Sequence, residues 1–180
     1  MIVPNDIIYL ISHYNCYIES SINLSLLNKE INDNSKRIFI NNPLITHKNF
    51  HIISKYYVKN ITFDDYFNQS IDLPNDLTHL TIRIFFNQPI VLPNNLTHLI
   101  CHQHSSFNQP ITLPNSLIYL KLGYYYNQPI TLPNNLTHLT FGEDFNQPIN
   151  LPNSLTYLTF GEHFNQPIIL PNNLTHLDFY

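Results

Sequence analysis

The sequence predicts an α+β chain. A small N-terminal helical segment over residues 1–50 is followed by a parallel β-solenoid of about six 19-residue coils with no helix on its convex side. Three observations predict it. One five-residue motif recurs at almost constant spacing, each copy carries a short alternating apolar run of strand length, and two prolines per copy leave no room for a helix between strands.

The motif Phe-Asn-Gln-Pro-Ile begins at Phe67 (with Ser70 for Pro), Phe86, Phe107, Tyr126, Phe145 and Phe164, at spacings of 19, 21, 19, 19 and 19 residues. Every copy continues as Leu-Pro-Asn, from Leu73, Leu92, Leu113, Leu132, Leu151 and Leu170. Each then closes with Leu-x-x-Leu-x-Φ, where Φ is Ile82, Cys101, Leu122, Phe141, Phe160 or Phe179. Alternation along that last segment turns Leu80 and Ile82 inward and His79 and Thr81 outward, so stacked copies build one parallel sheet. Val58, Ile61 and Phe63 fit the same frame one period earlier, which predicts a degenerate first coil or cap over residues 51–66 and the regular array over 67–180.

Proline lacks an N–H and biases the residue before it to extended conformations, so the return path of each coil is predicted to be irregular. Asn68, Asn87, Asn108, Asn127, Asn146 and Asn165 are expected to form a buried ladder that satisfies turn backbone groups and links the side chains across coils. The Phe67 series is expected to stack as an aromatic spine. Gly142 and Gly161 are expected to supply a positive φ where strands end.

Leu-x-x-Leu-x-Leu is the strand half of a leucine-rich repeat, and the whole unit resembles the FNIP repeat family, named after its Phe-Asn-Ile-Pro motif and known chiefly from amoebae and the large viruses that infect them. Here the motif reads Phe-Asn-Gln-Pro, and the period is shorter than is usual in that family. The resemblance covers about residues 57–180 and implies a leucine-rich-repeat-like solenoid used for protein interaction.

The first fifty residues lack the repeat. Asn5 or Asp6 near a helix start after Pro4, the run Ile7, Ile8, Leu10 and Ile11, and a second run Ile22, Leu24, Leu26 and Leu27 read as short helices. Val3-Pro4-Asn5-Asp6-Ile7-Ile8, followed some twenty residues later by Leu24-Ser25-Leu26-Leu27-Asn28-Lys29, resembles the F-box pattern Leu-Pro-x-Glu-Leu-Leu and Leu-x-x-Val-x-Lys. That resemblance implies that Val3, Pro4, Ile7, Ile8, Leu10, Leu24 and Leu27 pack a small helical domain or dock on a Skp1-like adaptor. The chain would then be a substrate-recognition subunit of a ubiquitin ligase, with the solenoid holding an unknown target protein. The alternative is a stand-alone repeat scaffold in which the helices only cap the first coil.

The outward column His79, His98, Tyr119, His138, Tyr157 and His176, beside a more variable column containing Thr81, Lys121, Thr140 and Thr159, is the candidate target-binding face. Two imidazoles alone make a poor metal site, so no metal and no cofactor are expected there. His98 with Cys101, His102 and His104 forms a second patch of candidate ligands, but Cys101 falls on an inward, inert position.

Charge and composition exclude other classes. Residues 61–180 carry only Arg83 and Lys121 against eight acids, and the net charge is −4, so no nucleic-acid partner is expected. No apolar run approaches the ~18 residues of a membrane span. Two cysteines cannot staple a scaffold of this size, and the N-terminus lacks the basic start and apolar stretch of a secretory leader. A cytoplasmic location is therefore expected, in the host if the chain is viral. No nucleophile elbow or Gly-rich phosphate loop is present, and with three glycines in all the chain is not expected to be an enzyme.

Overall fold

The computed structural model describes residues 39–40, 44–46 and 57–180. Ten short strands run through them: β1 (Phe39–Ile40), β2 (Leu44–Ile45), β3 (Tyr57–Val58), β4 (Asn60–Phe63), β5 (His79–Ile82), β6 (His98–Cys101), β7 (Tyr119–Lys121), β8 (His138–Thr140), β9 (Tyr157–Phe160) and β10 (His176–Phe179). Eight of them form one parallel sheet in the order β10-β9-β8-β7-β6-β5-β4-β2, and β1 pairs with β3 in a separate two-stranded sheet. Consecutive strands are neighbours, each displaced by one repeat: His79 faces His98, His98 faces Tyr119, and His138 faces Tyr157. This is a solenoid of about seven coils, and among the described residues it contains no helix.

The strand motif places its apolar residues as alternation requires. Leu77, Leu80, Ile82, Leu96, Leu99, Cys101, Leu136, Leu139 and Phe141 are all buried in one continuous core. The aromatic spine is present: Phe67 to Phe86, Phe86 to Phe107 and Phe107 to Tyr126 stack at 5.9, 6.0 and 6.1 Å. Leu-Pro-Asn makes the turn into each strand, with the amide of Leu77 bonding Pro74 O at 3.1 Å and that of Leu96 bonding Pro93 O at 3.1 Å. Pro has no N–H to lose at that place and its ring fixes φ, so the turn is preset.

The Asn ladder exists but is wired differently from the expectation. Asn68 Oδ1 accepts from the backbone amide of Asn87 at 2.9 Å and from Gln88 Nε2 at 3.1 Å. The same pair of bonds joins Asn87 to Asn108 and Gln109, Asn108 to Asn127 and Gln128, Asn127 to Asn146 and Gln147, and Asn146 to Asn165 and Gln166. The amides thus reach the next coil's backbone and its glutamine, and they are half-buried or exposed, not buried.

Two further expectations are corrected. None of the three glycines has a positive φ; they are required because coils meet there. A Cβ on Gly142 would run into the backbone of Gly123 and Tyr124, and one on Gly161 into Gly142 and Glu143. Secondly, β1 and β2 lie inside the segment 1–50 that reads as helical, and β2 pairs with β4 through Leu44 opposite Thr62 and Ile45 opposite Phe63. The sheet therefore starts one coil before the expected first coil. Two residues of strand give too little alternation to announce themselves. The degenerate strand at Ile61 and Phe63 is present as β4, with both side chains buried.

The two-residue insertion falls between Cys101 and Phe107. Its Ser105 is buried, donates its hydroxyl to Arg83 O at 2.9 Å and accepts from the amide of Phe107 at 3.3 Å, which keeps the longer turn tied to the coil below.

Candidate functional site: the ring column on the sheet face

The Leu-x-x-Leu-x-Φ strands turn one residue in two away from the core, and the in-step parallel register lines these residues up across the sheet. His79, His98, Tyr119, His138, Tyr157 and His176 form an unbroken stack with neighbouring centroids at 4.2, 5.7, 5.8, 5.9 and 5.7 Å. Their rings lie within 11° to 29° of parallel, so the faces are taken up by each other and the edges face outward. His79, His138 and His176 are exposed; His98, Tyr119 and Tyr157 are half-buried. All six sequence-predicted residues of this column are thus brought together.

The second column is less uniform. Thr81, Lys121 and Thr140 are half-buried and remain available on the face. Thr159, expected to contact a target, is fully buried and its hydroxyl has no hydrogen-bond partner, so it cannot take part in binding. At the far end of the stack Tyr157 Oη donates to Asp178 Oδ2 at 3.4 Å.

Sequence reasoning missed the residues that orient the imidazoles. Thr78, Thr97, Thr137 and Thr175 each place Oγ1 within 2.8 to 2.9 Å of Nδ1 of the following histidine. The same hydroxyls donate to carbonyls of the preceding coil, Lys59, Thr78, Ile118 and Thr156. The signal was in plain view as a Thr-His dipeptide that opens four of the six strands.

Burial lowers the pKa of His98, and the imidazoles of His79 and His138 push it the same way, which favours its neutral form. Cys101 is fully buried and its thiol is pushed up to about 12 by desolvation, against a backbone hydrogen bond at Gly123 that lowers it. It is inert as expected, and the His98–Cys101–His102–His104 patch is split, with Cys101 in the core and His104 exposed in the inserted turn. Among the described residues no three His, Cys, Asp or Glu side chains gather into a metal-holding group. No helix among them is long and apolar enough to cross a membrane. Val3, Pro4, Ile7, Ile8, Leu10, Leu24 and Leu27, the adaptor-docking residues of the sequence reading, lie outside the described residues.

A parallel sheet of near-identical strands, closed by irregular returns and carrying an ordered column of rings on its outer face, defines a leucine-rich-repeat-like β-solenoid. The FNIP Repeat model matches residues 86–125, 107–144, 126–163 and 145–180, more than half of the sequence, and the chain belongs to the FNIP repeat family. It is similar to CroV588, a giant-virus protein whose crystal structure is described as a novel circular leucine-rich-repeat structure, at 52% identity and a TM-score of 0.62. That match covers 68% of this chain, which spans only 20% of the length of the other. No curated protein matches the chain.

Proposed function

We propose that the solenoid is a protein-docking scaffold whose ring column and its Thr81, Lys121 and Thr140 flank contact a target, and that residues 1–50 couple it to a Skp1-like adaptor of a ubiquitin ligase. The observation that carries the docking role is the column itself. Six rings are held parallel by register, and the four histidines also by their threonine contacts, so a partner meets a surface whose side-chain freedom is already restricted. The face is low in charge, with Lys121 its one cation, which favours a protein over a nucleic acid. In this reading the polypeptide performs no chemistry, binds no cofactor and works in the cytoplasm.

The adaptor half rests on the F-box-like residues Val3, Pro4, Ile7, Ile8, Leu10, Leu24 and Leu27. A competing scaffold reading, in which the N-terminal segment merely caps the array, is favoured by the pairing of β2 with β4 and of β1 with β3. A pull-down with a Skp1-like protein separates the two. Capture by the folded wild type, abolished in Pro4→Ala/Ile7→Asp, supports the adaptor; absence of capture by the wild type sinks it and leaves the scaffold.

A further inference from the structure

The copies are nearly constant through Phe-Asn-Gln-Pro-Ile and Leu-Pro-Asn, and they diverge at the turn that leaves each strand. The residue just before the spine aromatic is Tyr66, Phe85, Ser106, Tyr125, Asp144 and His163 in successive coils. Backbone bonds hold these turns coil to coil. The amide of Phe85 donates to Asp65 O at 3.0 Å, that of Ser106 to Ile84 O at 2.7 Å, that of Asp144 to Tyr124 O at 2.9 Å and that of His163 to Glu143 O at 3.2 Å. Variation on this frame changes what the edge presents and leaves the coil intact.

The edge is aromatic at one end and acidic at the other. Tyr66, Phe85 and Tyr125 are 79%, 50% and 51% exposed. Tyr66 and Phe85 stack on each other at 5.5 Å, and His104 of the inserted turn meets Tyr124 edge-on at 5.1 Å. Exposed rings that touch one another make a patch, which a scatter of single apolar residues does not. Past Tyr125 come Glu143, Asp144 and Glu162, while residues 122–180 contain no Lys or Arg. Asp144 meets His163 Nδ1 at 3.3 Å, and neither glutamate has an ion pair among the described residues. Arg83, at the aromatic end, is already paired with Asp65.

We propose that this edge is a second docking surface whose occupant is an extended segment of a partner protein, with an apolar or aromatic anchor near a Lys or Arg cluster. It goes beyond the ring column, which stands at the first residue of each strand, whereas this edge lies past the last. The anchor rests on Phe85 and Tyr125, large rings with few torsions to freeze, and the cations reach Glu143, Asp144 and Glu162. Those carboxylates are the charge complement of a basic segment and repel a phosphate backbone. Neighbouring coils lie ~4.8 Å apart and an extended segment rises about 3.3 Å per residue, so the three steps from Phe85 to Asp144 set anchor and cation about four residues apart.

Panning a phage-displayed library of random dodecapeptides on the intact chain tests the surface, with Phe85→Ser/Tyr125→Ser as the subtractive arm. The wild type should enrich peptides that carry Trp, Phe, Tyr or Leu about four residues from Lys or Arg. For a synthetic copy of one such peptide, fluorescence anisotropy should show affinity weakened at least about tenfold by Phe85→Ser and by Tyr125→Ser. Glu143→Gln/Glu162→Gln should weaken it by about tenfold and remove most of its dependence on salt. His138→Phe, in the ring column, should leave it unchanged. Enrichment of no peptide that distinguishes the wild type from Phe85→Ser/Tyr125→Ser overturns the proposal. So do enriched peptides that lack Lys and Arg, or binding that is lost in His138→Phe and kept in the edge variants. Circular dichroism checks that each variant folds, with Phe85→Gln and Tyr125→Gln as replacements for one that does not.

Discussion

At the scale of single residues, departures from the repeat carry more information than its copies. Tyr126 stands in the spine where five other coils have Phe; it is fully buried and its hydroxyl has no partner. Burial, with the nearby Cys101 thiol, raises its pKa far above the ordinary tyrosine range. A desolvated hydroxyl without a hydrogen bond costs about 1–3 kcal/mol. Tyr126→Phe should therefore stabilise the chain, by about 1 kcal/mol after some loss of contacts, read as a higher urea midpoint at unchanged slope. His98 gives a prediction in pH. Its folded pKa is lowered by burial and by His79 and His138, so the unfolded chain binds the proton more readily. The linked destabilisation is absent above the unfolded value of about 6.5 and grows as pH falls through it. Between pH 7.5 and 5.5 the urea midpoint of the wild type should fall more than that of His98→Phe.

At the scale of the element, what ties coil to coil is a set of polar rungs as regular as the core. Asn108 Oδ1 holds both the amide of Asn127 and Gln128 Nε2, at 3.0 and 3.2 Å. Asn108→Ala leaves a half-buried backbone donor without its acceptor and should cost about 1–3 kcal/mol, while Asn108→Asp, which keeps an acceptor oxygen, should cost less. Denaturant titration of the two variants decides it. Beside the rungs, the turn chemistry changes with the residue after Leu-Pro-Asn. Asn95, Asn135 and Asn173 reach the carbonyl of an asparagine one coil back, whereas Ser116 and Ser154 reach that of a leucine. Most of this was legible in the sequence. The strands, their inward and outward residues, the spine and the ring column follow from period and alternation alone. The direction of the Asn bonds, the need for glycine at 142 and the burial of Thr159 depend on how close neighbouring coils come, and no single copy of the motif encodes that distance. β2 was hidden for another reason: Leu44 and Ile45 are too few to show a period.

At the scale of the molecule, each coil contacts only those on either side, so stability is a sum of coil and interface contributions. Removal of one interior unit, residues 126–144, joins Tyr125 to Phe145 and keeps every rung in frame. That variant should fold to the same β spectrum with a urea slope reduced in proportion to the surface lost. Removal of 18 residues instead leaves the frame out by one residue, which turns inward side chains outward and should abolish cooperative unfolding. The ring column would shorten by one member in the first case, so the docking face can be trimmed without touching its chemistry.

The rungs from each Asn to the following amide and Gln are the same at five successive joints. Any copy can therefore sit on any other. At the level of the gene, misaligned recombination between copies yields arrays that gain or lose whole coils without creating a mismatched joint. Length is then the easiest property of such a protein to change, and the extent of its binding face changes with it. The coil with the 21-residue spacing is the exception: its longer turn is tied by the Ser105 hydroxyl to the backbone carbonyl of Arg83 one coil below, so a crossover within that turn changes the length of a coil as well as the number of coils.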